Sequence, residues 1–509
     1  GRAMGRFTPW PLVWQVLGLG VASAQHMNQD VAYLVANARP GHEEEARGFF
    51  GEWFEVYSPP IRSRYSEVVW RVLPSVPLPA SIVSRYNGST AMAVTGYEVD
   101  VVRRTEQGER SVPCTESYNH HYTNVLVSSA ARVLEPAAGS HLGHSPPAIA
   151  ALALDEATGL PLTQAFNEHN GNEHRQSYHG YPEGYVQPIY RPASMVFNPM
   201  QINTRNPDGS GQVGGPLPRS SQAPANASYS GLLECPCTTR TKKVPPSGGR
   251  PGTIDGRPYE AECKGALLAQ RNPTCEVATY LGGMACCTDG TVLLDADQEV
   301  PPAVDEVFFK WRFYFEDYNP SIHRPVVHIE WSLNDCDSGG SPGNPKNCKH
   351  IEYDVPRAPS SVAPGEAVHE VTSTWQVRDM LHPCDSRTEP YCADPRLAGK
   401  DGLSLVMAGG HCHAPACISL ELFDADTGEL LCSIRPRFGK THKAKDEESY
   451  LWLPPCQWGR AEEGLMPPPL LHLDTNLTSI KRENSTYAHP GVMAIWQMRA
   501  IYAGGGMPL

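Results

Sequence analysis

The stretch Met407-Ala-Gly-Gly-His411-Cys412-His413, followed by Ile418-Ser-Leu-Glu-Leu-Phe423, reads as a strand, a turn and a second alternating strand. Side chains at i and i+2 of a strand share one face, so the two imidazoles are predicted to point the same way and Cys412 the other way. Two convergent neutral imidazoles make half of a copper or zinc site. We therefore look for further ligands elsewhere in the chain, the alternative being a solvated pair of strand histidines.

The same β pattern recurs along the chain. β-Branched and aromatic residues alternate over residues 91–102, 118–128 and 307–315, with turn residues between them. Glycine (45) and proline (48) are abundant and charged residues make up only 19%, a composition typical of short strands joined by turns. Strand–helix alternation and fixed-period repeats are absent from the sequence. We predict an all-β protein built from two antiparallel sandwiches.

Composition along the chain suggests where the domains lie. Residues 25–300 are predicted to form the N-terminal domain, with a loop-rich insertion at about 135–230 that is rich in Pro, Gly, Asn, Ser and His. Residues 301–509 are predicted to form the C-terminal domain, which carries the His-x-His pair.

Several features predict secretion. A basic start, an apolar run from Trp10 to Val21 and the small residues Ala22-Ser-Ala24 form a signal peptide over residues 1–24. Fifteen cysteines fit an oxidising compartment. Four glycosylation sequons agree, at Asn87, Asn226, Asn476 and Asn484. We expect a secreted, disulfide-bonded glycoprotein.

Some disulfides can be anticipated. Cys336 and Cys348 bracket a Gly/Pro/Asn loop and are predicted to pair, whereas the adjacent Cys286 and Cys287 are expected to take separate partners. Cys412 faces away from its histidine neighbours, so we expect it in a disulfide, perhaps across the sheet, rather than on a metal.

Several function classes are not supported. The net charge is −13 and no basic run occurs, which argues against nucleic acid as a partner. No apolar stretch is long enough to predict a transmembrane segment. His-Glu-x-x-His, phosphate-binding glycine loops and dinucleotide fingerprints are absent from the sequence, and Gly339-Gly-Ser-Pro-Gly343 lacks the strand and helix that a nucleophile elbow needs.

Two further segments offer metal ligands. His120 and His121 head a predicted strand, where neighbours point to opposite faces, so one metal takes both only if the backbone is distorted there. Met493 lies on a strand close to His489; it is either core packing or a thioether ligand of the kind that selects copper.

The chain resembles a known family in six motifs, which occur in the same order along the sequence. They are Glu116-Ser-Tyr-Asn-His120-His121-Tyr, Tyr178-His-Gly-Tyr-Pro182, Cys235-Pro-Cys237, Tyr280-Leu-Gly-Gly-Met-Ala-Cys-Cys287, Gly410-His-Cys-His413 and His489-Pro-Gly-Val-Met493. Over roughly residues 60–505 the chain resembles the stress-up-regulated nodulin family. That family in turn resembles, remotely, the copper type II ascorbate-dependent monooxygenases, such as peptidylglycine α-hydroxylating monooxygenase and dopamine β-hydroxylase.

The resemblance implies two jelly-roll-like domains with one copper each. His411, His413 and Met493 are similar to the ligands of the oxygen-binding copper, and His120 and His121 to those of the electron-transfer copper. The implied reaction is hydroxylation of an aliphatic C–H of a small molecule or peptide, with O2 as oxidant and ascorbate as reductant. The residues do not identify the substrate.

One position departs from the family pattern. Met200 stands where the pattern has the third histidine of the electron-transfer site, in Phe197-Asn-Pro-Met200-Gln-Ile-Asn-Thr-Arg205. Methionine can bind Cu(I), and His179 is an alternative ligand. The leading hypothesis is a copper-binding secreted protein with monooxygenase-like chemistry. The alternative is a non-catalytic extracellular binding or structural glycoprotein that retains the fold.

Overall fold

The computed structural model describes seventeen segments of the chain, which together include most of both sandwiches. The described residues are 27–28, 31–114, 116–131, 154–168, 177–205, 242–243, 253–254, 257–258, 290–292, 301–332, 352–355, 358–381, 399–413, 416–441, 445–447, 451–486 and 489–504. The predicted signal peptide, Asn226, the cysteines between 235 and 287, the Cys336–Cys348 pair and most of the 135–230 insertion lie outside them.

The first sandwich is built from long alternating segments. Its strands and the short ones that follow are β1 (Glu52–Tyr57), β2 (Ile61–Arg64), β3 (Val68–Trp70), β4 (Val76–Pro77), β5 (Ala91–Thr105), β6 (Gly108–Ser111), β7 (Ser117–Ser128), β8 (Thr163–Glu168), β9 (Tyr185–Tyr190), β10 (Pro192–Val196), β11 (Pro199–Asn203), β12 (Lys242–Lys243), β13 (Thr253–Ile254), β14 (Arg257–Pro258), β15 (Thr291–Val292), β16 (Val304–Asp317) and β17 (Arg324–Pro325). One short helix, α1, spans Ala80–Arg85.

Two sheets make up this sandwich. One has the order β1-β16-β5-β9-β17, with β2 on β16 and β6 on β5; the other has the order β3-β11-β7-β10-β4, with β8 on β7. Their apolar faces enclose a core that includes Trp311, Phe313 and Tyr122. Burying such aromatic side chains stabilises the fold by about 1.5–3 kcal/mol each.

The long strand β16 changes the expected domain boundary. It lies beyond residue 301, yet it pairs along its length with β1 and β5 of the first sandwich. Its alternating Val307, Phe309 and Trp311 are buried there. The short strand β17 also pairs with β9 of the first sandwich, so the division between the sandwiches falls after Pro325.

The second sandwich follows. Its elements are β18 (Val327–Ser332), β19 (Glu352–Val355), β20 (Val368–Gln376), α2 (Val377–Leu381), β21 (Gly402–Gly410), β22 (Cys417–Asp424), β23 (Leu430–Ile434), β24 (Arg437–Phe438), β25 (Leu451–Trp452), β26 (Cys456–Gln457), β27 (Leu470–His472), β28 (Asn476–Asn484), β29 (His489–Met493) and β30 (Ile495–Ala503), with 3-10 turns at Pro364–Glu366 and Ala461–Glu463. One sheet has the order β18-β30-β21-β26, with β27 on β21, and the other β20-β28-β22-β23. The predicted all-β, multi-sandwich class is confirmed.

Among the described residues of the second sandwich, two disulfides stabilise the fold. Cys432–Cys456 joins β23 to β26 and so ties its two sheets together. Cys412–Cys417 closes the turn between β21 and β22. The predicted disulfide at Cys412 is confirmed, but its partner lies five residues along the chain, at the start of the next strand.

The two sandwiches share a continuous apolar interface. The core of the second sandwich extends to Trp70, Tyr118 and Met200, which belong to β3, β7 and β11 of the first. These three neighbouring strands therefore pack against the second sandwich. Within the described part of the chain, no helix has both the length and the apolar character needed to cross a membrane.

Candidate metal centre between the two sandwiches

The predicted His-x-His pair lies where β21 ends. The backbone amide of His411 donates to the carbonyl of Ile495 at 2.9 Å, and the amide of Cys417 donates to the carbonyl of His413 at 3.1 Å. Gly410, the last residue of β21, packs against Leu420, and a Cβ here would approach the Leu420 Cδ2 to 2.7 Å. These contacts fix the backbone on both sides of the pair.

The imidazoles of His411 and His413 meet, although both residues lie just past the end of β21 and not within a strand as predicted. Their Nε2 atoms are 2.9 Å apart and both side chains are fully buried. Cys412 instead joins the apolar core of the second sandwich. At 2.9 Å one Nε2–H donates a hydrogen bond to the other Nε2, so the pair holds one proton between the two rings, and a metal would have to replace that proton.

His120 reaches the same place from the first sandwich. On β7, Asn119 pairs with Gln201 and His121 with Met200, so His120 is an extra residue without a register partner on β11. Such a β-bulge bends the strand and redirects side chains. Consequently Tyr118 belongs to the interface with the second sandwich, whereas Tyr122 belongs to the core of the first.

The three histidines form a compact cluster. One ring nitrogen from each of His120, His411 and His413 lies within 4.8 Å of the others, and all three side chains are buried. The His120 ring centroid is 4.7 Å from that of His413 and 6.2 Å from that of His411. Sequence analysis assigned these residues to two separate coppers; the structure brings them together.

Tyr118, which sequence analysis gave no role, orients His120. Its hydroxyl lies 3.1 Å from His120 Nδ1, and the two rings meet edge to face. When Nδ1–H donates to the hydroxyl oxygen, the lone pair lies on Nε2, the arrangement usual for a metal-binding histidine. Because residues two apart on a strand share a face, the position of Tyr118 two residues before His120 could have predicted this contact.

His121 and Met200 lie beside this cluster. The His121 ring centroid is 5.2 Å from that of His120 and 4.7 Å from Trp70, against which it packs edge to face. Met200 is fully buried and pairs with His121 across the ladder. The bulge therefore brings both neighbouring histidines to the interface side, the backbone distortion that a shared site requires. A copper held by His120, His121 and Met200 stays a prediction.

Met493 ends β29, two residues before Ile495, whose carbonyl accepts the His411 amide. Its side chain is buried, and its carbonyl accepts a hydrogen bond from the Lys481 ammonium. Lys481 also forms a fully buried ion pair with Glu483 at 2.9 Å. The Met493 backbone is thus held near the cluster, while its thioether as a copper ligand stays a prediction.

A pocket opens between the sandwiches beside the cluster. From the first sandwich it is lined by Tyr97, Asn167, His179 and Tyr181. From the second it is lined by Met407, Gly409, Gln497 and Arg499, which occupy alternate positions of β21 and β30.

His179, considered above as a substitute ligand, belongs to this pocket. Its ring stacks on Tyr97 with centroids 4.6 Å apart. Met407 and Gly409 lie on one face of β21, and His411 follows the last residue of that strand, so the pocket lies close to the cluster along the chain.

The donor set of the cluster fits a borderline or soft metal. Three imidazoles without a carboxylate suit Zn²⁺ or copper, and nitrogen ligands bond these metals at about 2.0–2.1 Å, which puts the nitrogens roughly 3.3 Å apart. To reach that spacing the Nε2 atoms of His411 and His413, which are 2.9 Å apart, would have to separate, while His120, whose ring nitrogen lies within 4.8 Å of theirs, would have to approach.

The three described sequons differ in their surroundings. Asn87 and Asn484 are exposed, whereas Asn476 is half-buried and its side-chain amide donates to Asp426 at 2.8 Å. Glycosylation at all of them stays a prediction.

Comparisons with known proteins add little to this geometry. No family model matches the chain, and no curated protein matches it. A solved structure of a protein from Parabacteroides distasonis, described as a "putative secreted protein", aligns with 93% of this chain and 99% of its own at 6% identity and a TM-score of 0.16. A TM-score this low does not indicate a shared fold.

Proposed function

We propose that the protein is a secreted copper-binding protein whose metal is held between its two sandwiches by His120, His411 and His413. The observation that carries this proposal is the convergence of three buried imidazoles from two sandwiches. Three imidazole nitrogens that converge on one point form a donor set that suits copper or zinc.

Copper is favoured over zinc on chemical grounds. Imidazole sites bind Cu²⁺ more tightly than Zn²⁺, and a thioether such as that of Met493 would favour Cu(I) further. Secretion is proposed from the signal-like start of the sequence, the cysteine content and the two disulfides.

The experiment is metal analysis of the purified, intact protein. Samples are loaded with Cu²⁺, with Cu⁺ under ascorbate, or with Zn²⁺, passed through a desalting column, and analysed for metal content. We expect about one copper per chain in the wild type, and a loss of most of it in His120→Ala, His411→Ala and His413→Ala.

The matched control is His472→Ala, because His472 is an exposed histidine on β27 away from the cluster. It should keep the wild-type copper content. Wild-type protein that retains no metal, or a His411→Ala variant with unchanged copper, would show the proposal to be wrong. If copper is lost in His411→Ala and His413→Ala but retained in His120→Ala, then His120 is not a ligand of the same copper.

A second candidate function is copper-dependent oxidation of a small molecule, favoured by the three convergent imidazoles, which could hold a redox-active copper. A bound copper would supply one-electron redox chemistry and O2 binding. The chain would hold the metal through His120, His411 and His413. Ascorbate-dependent O2 consumption by the copper-loaded protein, compared with His413→Ala, tests it; a rate equal to that of the variant supports the non-catalytic binding role.

A further inference from the structure

The chain before β1 contacts both sandwiches. Within residues 31–50, which we call the strap, Tyr33 and Arg47 form an antiparallel bridge, so the segment folds back on itself. We propose that the strap holds the two sandwiches together and that its release lets them separate at the interface where the three histidines lie. This inference goes beyond metal binding and does not depend on it.

One side of the strap is anchored on Glu98 of β5, in the first sandwich. The Glu98 side chain is 1% exposed, and its carboxylate accepts hydrogen bonds from the Tyr33 hydroxyl at 2.8 Å and the Tyr314 hydroxyl at 2.6 Å. It also accepts from the backbone amides of Met27 and Asn28, at 2.7 and 3.1 Å. Burial and the charge of Glu98 raise the pKa of Tyr33 and of Tyr314, so both hydroxyls stay protonated. A carboxylate is stable in the interior only with such donors around it, so Glu98 and the strap depend on each other.

An apolar cluster reinforces this anchor. The ring of Phe49, in the strap, stacks on Tyr314 with centroids 4.4 Å apart, and its centroid lies 5.1 Å from that of Tyr178. Tyr33 belongs to the same cluster, and so does Leu465 of the second sandwich. The strap therefore buries its aromatic rings against side chains from both sandwiches.

The other side of the strap is held by residues 455–464 of the second sandwich. Hydrogen bonds of 2.7–3.0 Å join them, from the Ala36 amide to the Pro455 carbonyl, from the Arg39 amide to the Gly464 carbonyl and from the Gln457 amide to Asn37 Oδ1. The Arg47 guanidinium also donates to the Glu463 carbonyl. Gln457 lies on β26 and pairs with Met407 on β21, the strand that ends just before His411. The strap thus contacts a strand that neighbours the one leading to the cluster.

The strap can leave without disrupting either sandwich. Of its residues, 39–41 and 43–46 are exposed, so it lies on the surface. None of its described residues belongs to the sheets of the two sandwiches. Its release would therefore keep the sheet hydrogen bonds intact, and such local opening needs less free energy than global unfolding.

The test measures how fast diethylpyrocarbonate modifies His120, His411 and His413 in the intact, metal-stripped protein, by mass spectrometry of its peptides. All three side chains are fully buried, so their modification reports separation of the sandwiches. The exposed His472 is the internal reference. In Glu98→Gln we expect modification about tenfold faster, because the loss of hydrogen bonds to a charged group shifts an opening equilibrium by at least that factor.

Asn37→Ala acts on the opposite side of the strap, because it removes the acceptor of the Gln457 amide. It should speed modification of the same three histidines about threefold. Glu421→Gln is the matched control for Glu98→Gln. Glu421 is 8% exposed and bonded to Arg482 at 2.6 Å, but it lies on β22, in the sheet of the second sandwich that does not include β26. This control should be modified at the wild-type rate.

Each result decides the inference. Faster modification in Glu98→Gln and Asn37→Ala, but not in Glu421→Gln, supports it, because the two strap variants act on opposite sides. Wild-type rates in both strap variants overturn it. An equal increase in Glu421→Gln also overturns it, because modification would then follow a general loss of stability.

A further variant keeps the test decisive if Glu98→Gln does not give folded protein by circular dichroism. Tyr33→Phe then takes its place, because it removes one donor to the Glu98 carboxylate and keeps the buried ring. It should speed modification about threefold. Every sample is free of copper, so a failure of the metal proposal does not change the outcome of this test.

Discussion

The imidazole rings of His120 and His413 belong to different sandwiches, and their centroids lie 4.7 Å apart at an interplanar angle of 82°. A metal bound here joins residues that are almost three hundred positions apart in the chain. Its binding free energy therefore acts on the packing of one sandwich against the other as well as on the local strands.

Copper is expected to stabilise the interface between the sandwiches. At a free copper concentration about 100-fold above the dissociation constant, the free energy of unfolding should rise by about 2.7 kcal/mol if the site exists only in the folded protein. Urea denaturation with and without copper measures this change. In His120→Ala, copper should raise the free energy of unfolding far less than it does in the wild type. An equal increase in the wild type and this variant would mean that copper acts elsewhere.

The Cys412–Cys417 disulfide is expected to hold His413 in place, because His413 lies inside the short loop that it closes. Replacing both cysteines with serine should loosen that loop and weaken copper binding by roughly 10–100-fold, a range typical of lost ligand orientation. Competition with a copper chelator measures the affinity.

The matched control is the double serine variant of Cys432 and Cys456, which removes a disulfide between the sheets and not at the cluster. It should lower the free energy of unfolding by about 2–5 kcal/mol while the folded protein keeps near wild-type copper affinity. A larger affinity loss in this control than in the Cys412/Cys417 variant would contradict the assigned role.

Tyr118→Phe is expected to weaken copper binding about tenfold with little effect on folding. The substitution keeps the buried ring but removes the hydroxyl that lies 3.1 Å from His120 Nδ1, and so frees the tautomer of that histidine. Tyr122→Phe is the control, because Tyr122 lies on the same strand but packs in the core of the first sandwich. Competition with a copper chelator measures the copper affinity of both variants. Equal affinities would show that Tyr118 has no role at the site.

The buried ion pair between Lys481 and Glu483 is expected to be sensitive to single substitutions. Glu483→Gln leaves a fully buried ammonium without its carboxylate partner and should lower the free energy of unfolding by about 3–5 kcal/mol. The double variant Lys481→Met, Glu483→Leu should recover much of that loss, because it removes both charges from the interior. Urea denaturation of the two variants tests this, and a double variant less stable than the single one would be inconsistent with it.

The alternation of side chains along a strand depends only on neighbouring residues. The sequence alone therefore determined the features that follow from this alternation. The all-β class follows from alternating segments such as residues 91–102. The period of two correctly predicted that His411 and His413 meet and that Cys412 turns away, but β21 ends at Gly410, so the predicted strand is too long by these three residues. The cysteine at 412 was correctly expected to bond another cysteine, because a side chain on the opposite face cannot share the ligand set of its neighbours.

Tertiary structure decided which distant residues meet. β16 joins the first sandwich although it lies past residue 301, since hydrogen bonding between strands is indifferent to sequence separation. His121 joins His120 on the interface side because one extra residue bulges from β7, a distortion with no signature in the sequence pattern. His120 meets His411 and His413 only because the two sandwiches pack together, and local periodicity cannot predict such a contact between distant segments.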